Sequence, residues 1–153
     1  MVRGSGSLPA PLLKKAAQLA LGLMAWTTGC TQAGSEAKLR IGDHKLTVEI
    51  AETPGEQALG LMNRESLAHD WGMIFLFGTP KKAFFWMKNT SIPLDVAFLD
   101  AEGVILEILP LVPFEETRVA SKSDKVAYAI ETNRDWFSSR GLKPGMKVLG
   151  LPR

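Results

Sequence analysis

The chain has 153 residues, with eighteen Lys and Arg, sixteen Asp and Glu, and a formal net charge of +2. That near-balance gives no electrostatic footprint for nucleic acid, so no nucleic-acid partner is expected. The single cysteine excludes a disulfide within the chain.

Every Asp and Glu lies after residue 35, whereas residues 1–30 carry Arg3, Lys14 and Lys15. Ala16–Trp26 is almost purely apolar, broken by Gln18 and Gly22, and Thr27-Thr28-Gly29-Cys30 follows. A basic start, a short apolar run and small residues before a cut site predict a secretory signal peptide over residues 1–29. The run is shorter than the roughly 20 residues that a spanning helix needs. Cys30 after a small residue resembles the lipobox of bacterial lipoproteins, although Thr27 stands where Leu is commoner. The resemblance implies lipidation of Cys30 and an exported chain anchored to the membrane of the cell envelope, because several acyl chains together give stable anchoring. The alternative is ordinary secretion with an incidental cysteine, giving a periplasmic or extracellular protein. Thr31, rather than Asp, argues against inner-membrane retention in a cell with two membranes. Without Arg3, Lys14 and Lys15, fifteen basic residues face sixteen acids, a formal −1, and no basic stripe for anionic lipid remains. Residues 30–38 read as the lipidated cysteine and a polar tether, and residues 39–153 as a single domain.

Within that domain, Leu39–Ile41, Gly42-Asp43 and Lys45–Ile50 predict an opening hairpin, with Leu46, Val48 and Ile50 alternating against Thr47 and Glu49. Thr53-Pro54-Gly55-Glu56 predicts a helix start with a capping box, and the helix should stop near Asn63-Arg64. Gly72–Phe77 and Ala83–Met87 are short, aromatic and bounded by turn residues, which predicts strands. Val96–Leu99 and Val104–Leu109 flank Asp100–Gly103 as a second hairpin. Glu115–Lys125 reads as a surface loop and Val126–Ile130 as a strand. Asn133–Arg140 reads as a second short helix ended by Gly141, and Pro144-Gly145 turns into a last strand, Lys147–Leu149. The sum is a mainly β (α+β) fold: a compact, antiparallel, barrel-like sheet of about seven short strands with two short helices.

The segment Phe84–Asp95 carries the most chemistry. It passes from apolar Phe84–Met87 through Lys88-Asn89-Thr90-Ser91 to the Pro93 turn. In an extended chain Phe85 and Met87 face one way, and Phe84, Trp86 and Lys88 the other. Trp86 and Lys88 are therefore neighbours, at what reads either as the edge of a site or as the exit of a core strand.

These residues also carry a family resemblance. Gly60-Leu61-Met62 with Arg64, Gly72-Met73 with Phe75 and Phe77, and Trp86-Met87-Lys88-Asn89-Thr90 followed by Ile92-Pro93-Leu94-Asp95 resemble the DUF192 (UPF0127) family of small, often exported bacterial and archaeal proteins. Phe98, Asp100, Gly103, Glu131 and Gly145 also fall in place, so the resemblance covers roughly residues 46–149. Asn133-Arg134 departs from the pattern at one turn. The resemblance implies a compact β-rich fold and transfers no catalytic residue and no cofactor.

Arg64, Trp86, Lys88, Asn89 and Asp95 form the candidate ligand site. The Trp ring stacks on a sugar or ring, and the cations and amide fix a small polar or anionic ligand, a glycan or a protein partner. The structural alternative pairs Arg64 and Lys88 with Asp95, Asp100 or Glu131 and closes the barrel. An enzymatic alternative is a carbohydrate-active hydrolase, which requires Asp95 and Glu131 in one cleft within about 5–10 Å. There is no Gly-x-Ser-x-Gly elbow and no nucleotide-binding loop. Met62, Met73 and Met87 offer thioethers that suit Cu(I) but equally fill a core. No zinc set is expected from the isolated His44 and His69.

Overall fold

The computed structural model describes residues 34–152; the expected signal peptide and lipidation of Cys30 fall outside them. Gly42 takes a φ of +56°, a left-handed value free of cost for glycine. It folds Glu36–Ile41 (β1) onto His44–Ala51 (β2) as the expected antiparallel hairpin. β1 begins inside the segment read as a tether, because half-buried Ala37 extends the inward alternation of Leu39 and Ile41.

Helix α1, Pro54–Leu59, starts as its sequence predicts. The Glu56 N–H donates to Thr53 Oγ1 at 3.3 Å and the Thr53 N–H to Glu56 Oε2 at 2.9 Å, a reciprocal capping box. It ends at Gly60, whose φ of +48° breaks the helix, and not at Asn63-Arg64. The next strand, Trp71–Lys81 (β3), runs parallel to β2, contrary to the all-antiparallel expectation. Residues 52–70, α1 included, supply the crossover that a parallel pair requires.

Phe84–Phe85 (β4) is followed by the hairpin of Leu94–Leu99 (β5) and Ile105–Leu111 (β6). Val119–Ala120 (β7) pairs with β4 in a two-stranded ribbon, within the segment read as a loop. Val126–Asn133 (β8) lies between β3 and β5, and Val148–Leu149 (β9) pairs with β1. The main sheet has seven strands in the order β6-β5-β8-β3-β2-β1-β9. Its two edges approach each other through a bridge between Val104 and Lys147, and the Ile105 N–H donates to the Met146 carbonyl at 2.9 Å. The fold is mainly β: a curled half-barrel with one short helix.

The second helix does not form. β8 continues through Asn133, Asp135 takes a φ of +65°, and only Ser138–Arg140 makes a single 3-10 turn, closed by Gly141 at φ +66°. The Asn133 side chain ties down the Leu67 and Ala68 carbonyls instead of capping. Trp136 and Phe137, adjacent and both buried, pull the chain inward where a surface helix would present one of them to water. Among the described residues, no helix is long and apolar enough to cross a membrane.

Apolar side chains cover both faces of the sheet. Met73, Phe75, Val96 and Phe98 lie in one cluster, and Ile74, Ala97, Leu99 and Ile130 in the other. This is the period-2 alternation of strands buried on both sides. It explains why β3 and β5 read as unbroken apolar runs. Phe75, Phe85 and Phe98 meet edge to face with centroids 4.9 and 5.6 Å apart, each ring adding about 2–3 kcal/mol by burial.

Candidate functional site

The first cluster leaves a pocket where α1 meets β3 and β4. Gln57 fastens the helix over the sheet. Its side-chain amide donates to the carbonyls of Ala51, Glu52 and Leu76, the last at 2.7 Å. Beyond Gly60 the chain drops inward and buries Leu61. Between helix and strands remains a cavity of about 310 Å³, walled by Leu59, Gly60, Phe75, Phe77, Phe85 and Trp86, with Glu131 among its lining. That volume sits at the lower end of small-molecule sites, about 300–1,000 Å³.

Strand register puts Glu131 there. It pairs with Met73 of β3 on one side and with Val96 of β5 on the other. Partners across a ladder share a face, so Glu131 shares the face of Met73, Phe75 and Phe98. Only 4% of the residue is exposed, and among the described residues its carboxyl has no hydrogen-bond partner. Burial alone pushes its pKa up to about 8, because removing water penalises the carboxylate more than the acid. At neutral pH it is mostly the protonated acid, able both to donate and to accept. Gly60 lies over it: a Cβ there would stand in ordinary contact, 3.9 Å from Glu131 Oε2 and 3.6 Å from the Phe75 ring.

Of the candidate residues, two stay together and three do not join them. Trp86 lines the pocket and is 37% exposed. The Lys88 ammonium lies 5.4 Å from its ring centroid and the Arg118 guanidinium 6.0 Å, within cation–π range. Phe85 and Met87 are buried while Phe84 and Trp86 are exposed, the expected alternation. Arg64 is committed elsewhere, in a two-pronged pair with Glu49 at 2.5 and 2.6 Å. That pairing lowers the pKa of Glu49. Arg64 is thus paired as the structural alternative proposed, but with a partner the sequence did not single out. Glu49 alternates with apolar neighbours like any solvent-facing strand residue, so no sequence signal marked it.

Asn89 acts through its backbone. Its φ is +51° and that of Asn63 is +61°, conformations that Asn tolerates better than most residues. The Asn63 N–H donates to the Asn89 carbonyl at 2.8 Å. This contact, with Ser91 Oγ donating to the Arg64 carbonyl at 3.2 Å, holds the two turns together.

Asp95 is on the other side of the sheet. It pairs with Thr132, one residue out of step with the Val96–Glu131 pair, so Asp95 and Glu131 point to opposite faces. The hydrolase alternative, which needs both in one cleft, is overturned by that register. The Lys88–Asp95 pair that the structural alternative offered does not form among the described residues. Asp95 instead meets Arg134 Nε at 3.0 Å and accepts from the Asp135 N–H at 2.8 Å. Burial still raises its pKa, outweighing those two contacts. Arg134 also donates to the Leu94 and Leu111 carbonyls, tying the ends of β5 and β6 to the end of β8. Met73 and Met87 lie in the apolar cluster and Met62 lines the pocket. No trio of His, Cys, Asp or Glu side chains among the described residues is placed to hold a metal.

The profile of the DUF192 family, described as "Uncharacterized ACR", matches residues 37–150. Two of the crystal structures that the chain resembles are informative. One is a Sinorhizobium meliloti 1021 protein described as a "putative transcription regulator", 35% identical with a TM-score of 0.74, covering 77% of this chain and 95% of that one. The other is a protein of unknown function from Novosphingobium aromaticivorans DSM 12444, 35% identical with a TM-score of 0.66, covering 74% of this chain and 82% of that one. No curated protein matches the chain.

Proposed function

We propose, for a chain that belongs to the DUF192 family, a small-ligand-binding role at the cell envelope, with the ligand seated in the pocket between α1, β3 and β4. Glu131 carries the reading. Its deep placement, with 4% of the residue exposed, strips water from the carboxyl and penalises its charged form, and a fold under no other demand would place an apolar side chain there. A ligand that bonds to the acid recovers that cost. Trp86 at the pocket wall supplies a ring to stack on, and Lys88 beside it can meet a polar or charged substituent. The formal −1 of residues 31–153 disfavours direct DNA contact.

The test is thermal unfolding against a panel of sugars, phosphates, carboxylates and amines. A ligand at 100 times its Kd adds about 2.7 kcal/mol, a rise of several degrees for a domain of this size. Trp86→Ala should abolish most of that rise. If no compound moves the melting temperature, the small-ligand role is wrong.

Export and anchoring belong to the same proposal. The basic, apolar and small-residue order of residues 1–30 supports a cleaved signal and lipidated Cys30. Cys30→Ser should move the protein from membrane to soluble fractions; a variant that still sediments with membranes would rule out the anchor.

A further inference from the structure

We propose that the pocket's ligand is an organic cation, an ammonium on a small apolar body, held between the Glu131 carboxyl and the aromatic wall. The inference rests on the small-ligand reading and gives its chemical class. Three observations converge on it.

The wall is aromatic. Phe75, Phe77, Phe85 and Trp86 all line one cavity, and ring faces carry the negative part of the aromatic quadrupole, which attracts ammonium groups. The chain itself already uses this property. The Lys81 ammonium stands 4.4 Å from the centroid of Phe77, so one wall of this pocket holds a cation of its own.

The polar groups left for a ligand favour positive charge at depth. Gln57 is spent on three backbone carbonyls, and Thr90 donates to the Lys88 carbonyl at 3.0 Å. Glu131 is the acid that remains, with no partner among the described residues. Among the described residues, the basic side chains lining the pocket are Lys81 and Lys82, both exposed, where water and salt screen their charge.

An anion also lacks an organised receptor. Arg64 is occupied by Glu49, and Lys88 and Arg118 stand beside Trp86. The groups around Glu131 are Met73 and Val96 in its ladder row and Gly60 above it. Lys81 and Lys82 line the pocket as well, and Glu49 lies one strand beyond Met73, neutralised by Arg64. A bound cation would draw the proton off Glu131 and take its place as counter-charge. A 150 Å³ cavity accepts benzene, so about 310 Å³ accommodates a ring with a small ammonium substituent.

The probe is benzyltrimethylammonium, compared by titration calorimetry with benzyl alcohol and phenylacetate at pH 6.5 and 8.5. Only the cation should bind. Its affinity should rise roughly twentyfold between the two pH values, because the ionised fraction of an acid titrating near pH 8 grows by that factor. Glu131→Gln should lose the rise, with circular dichroism confirming that it is folded. Phe77→Leu, which keeps apolar bulk and removes the ring, should weaken the cation several-fold. Preferential binding of phenylacetate or benzyl alcohol, or a pH-flat response to the cation, would overturn the cation proposal and leave the small-ligand role standing. Silence from all three probes would overturn it too, and silence across the wider panel would remove the small-ligand role with it.

Discussion

Glu131→Gln is expected to stabilise the protein, increasingly so as the pH rises. The side chain is deeply buried, and the loss of water pushes its pKa up to about 8 in the folded state, against an ordinary value of 4.5. Between those values the folded protein holds a proton that the unfolded chain has released. Stability is therefore fully present below about pH 4.5 and is lost as the pH climbs through 8. The loss is on the order of 5 kcal/mol once both states are ionised, at about 1.4 kcal/mol for every tenfold weakening of the acid. Glutamine cannot ionise, so the variant skips that loss. Its own unpartnered amide adds a cost that does not change with pH, so the slope is the informative quantity. Melting curves from pH 5 to 9 should show the parent falling by on the order of ten degrees while Glu131→Gln stays nearly level. Parallel profiles for the two proteins would mean that Glu131 is not the group that titrates.

Gly72→Ala should be severely destabilising. A Cβ at Gly72 would lie 2.3 Å from the Glu131 carbonyl oxygen and 3.4 Å from Thr132 Cγ2. The obstruction is backbone, at the centre of the sheet, where Gly72 pairs with Thr132. Neither strand can yield without disturbing the ladder on its far side, β2 for β3 and β5 for β8. Overpacking in cores costs about 1–3 kcal/mol even where side chains can adjust, so a loss of about 3 kcal/mol or more is expected from the midpoint of urea unfolding. Gly78→Ala in the same strand is the control. Nothing lies within 4 Å of its added Cβ, and its effect should stay within about 0.5 kcal/mol. Equal midpoints for the two variants would refute the contact argument. A folded remnant of Gly72→Ala should also bind ligand poorly, since the displaced carbonyl belongs to Glu131 itself.

The elements governed by local chemistry were legible in the sequence. Thr53-Pro54-Gly55-Glu56 announces its capping box, Gly42 its hairpin, and Phe84–Met87 its alternation, because each depends on neighbours within a few positions. The features that escaped are set by distant partners. The parallel pairing of β2 with β3 depends on α1 crossing the sheet. The second helix is lost because Trp136 and Phe137 find a core that the local pattern cannot display. The candidate site divides the same way. Trp86 and Lys88 are two positions apart and meet as expected. Arg64 and Glu49 are fifteen apart and find each other through the crossover. Asp95 and Glu131 looked interchangeable as carboxylates, and only strand register, invisible in one sequence, sends them to opposite sides of the sheet.

The meeting of β1 with β9 bears on how the molecule is made. Leu39 and Ile41 are buried, yet β1 gains its outer neighbour only through Val148 and Leu149, more than a hundred positions later. During vectorial synthesis or translocation the emerging chain must carry an apolar edge open until that late segment appears. Contacts of such long sequence separation form slowly, and open strand edges in the interval invite aggregation. A chain ending at Pro144 should bind a hydrophobic dye and self-associate; a monomeric, dye-silent product would show that the hairpin of β1 and β2 protects itself. Yield in a cell is therefore governed by how that edge is sheltered before the last strand arrives.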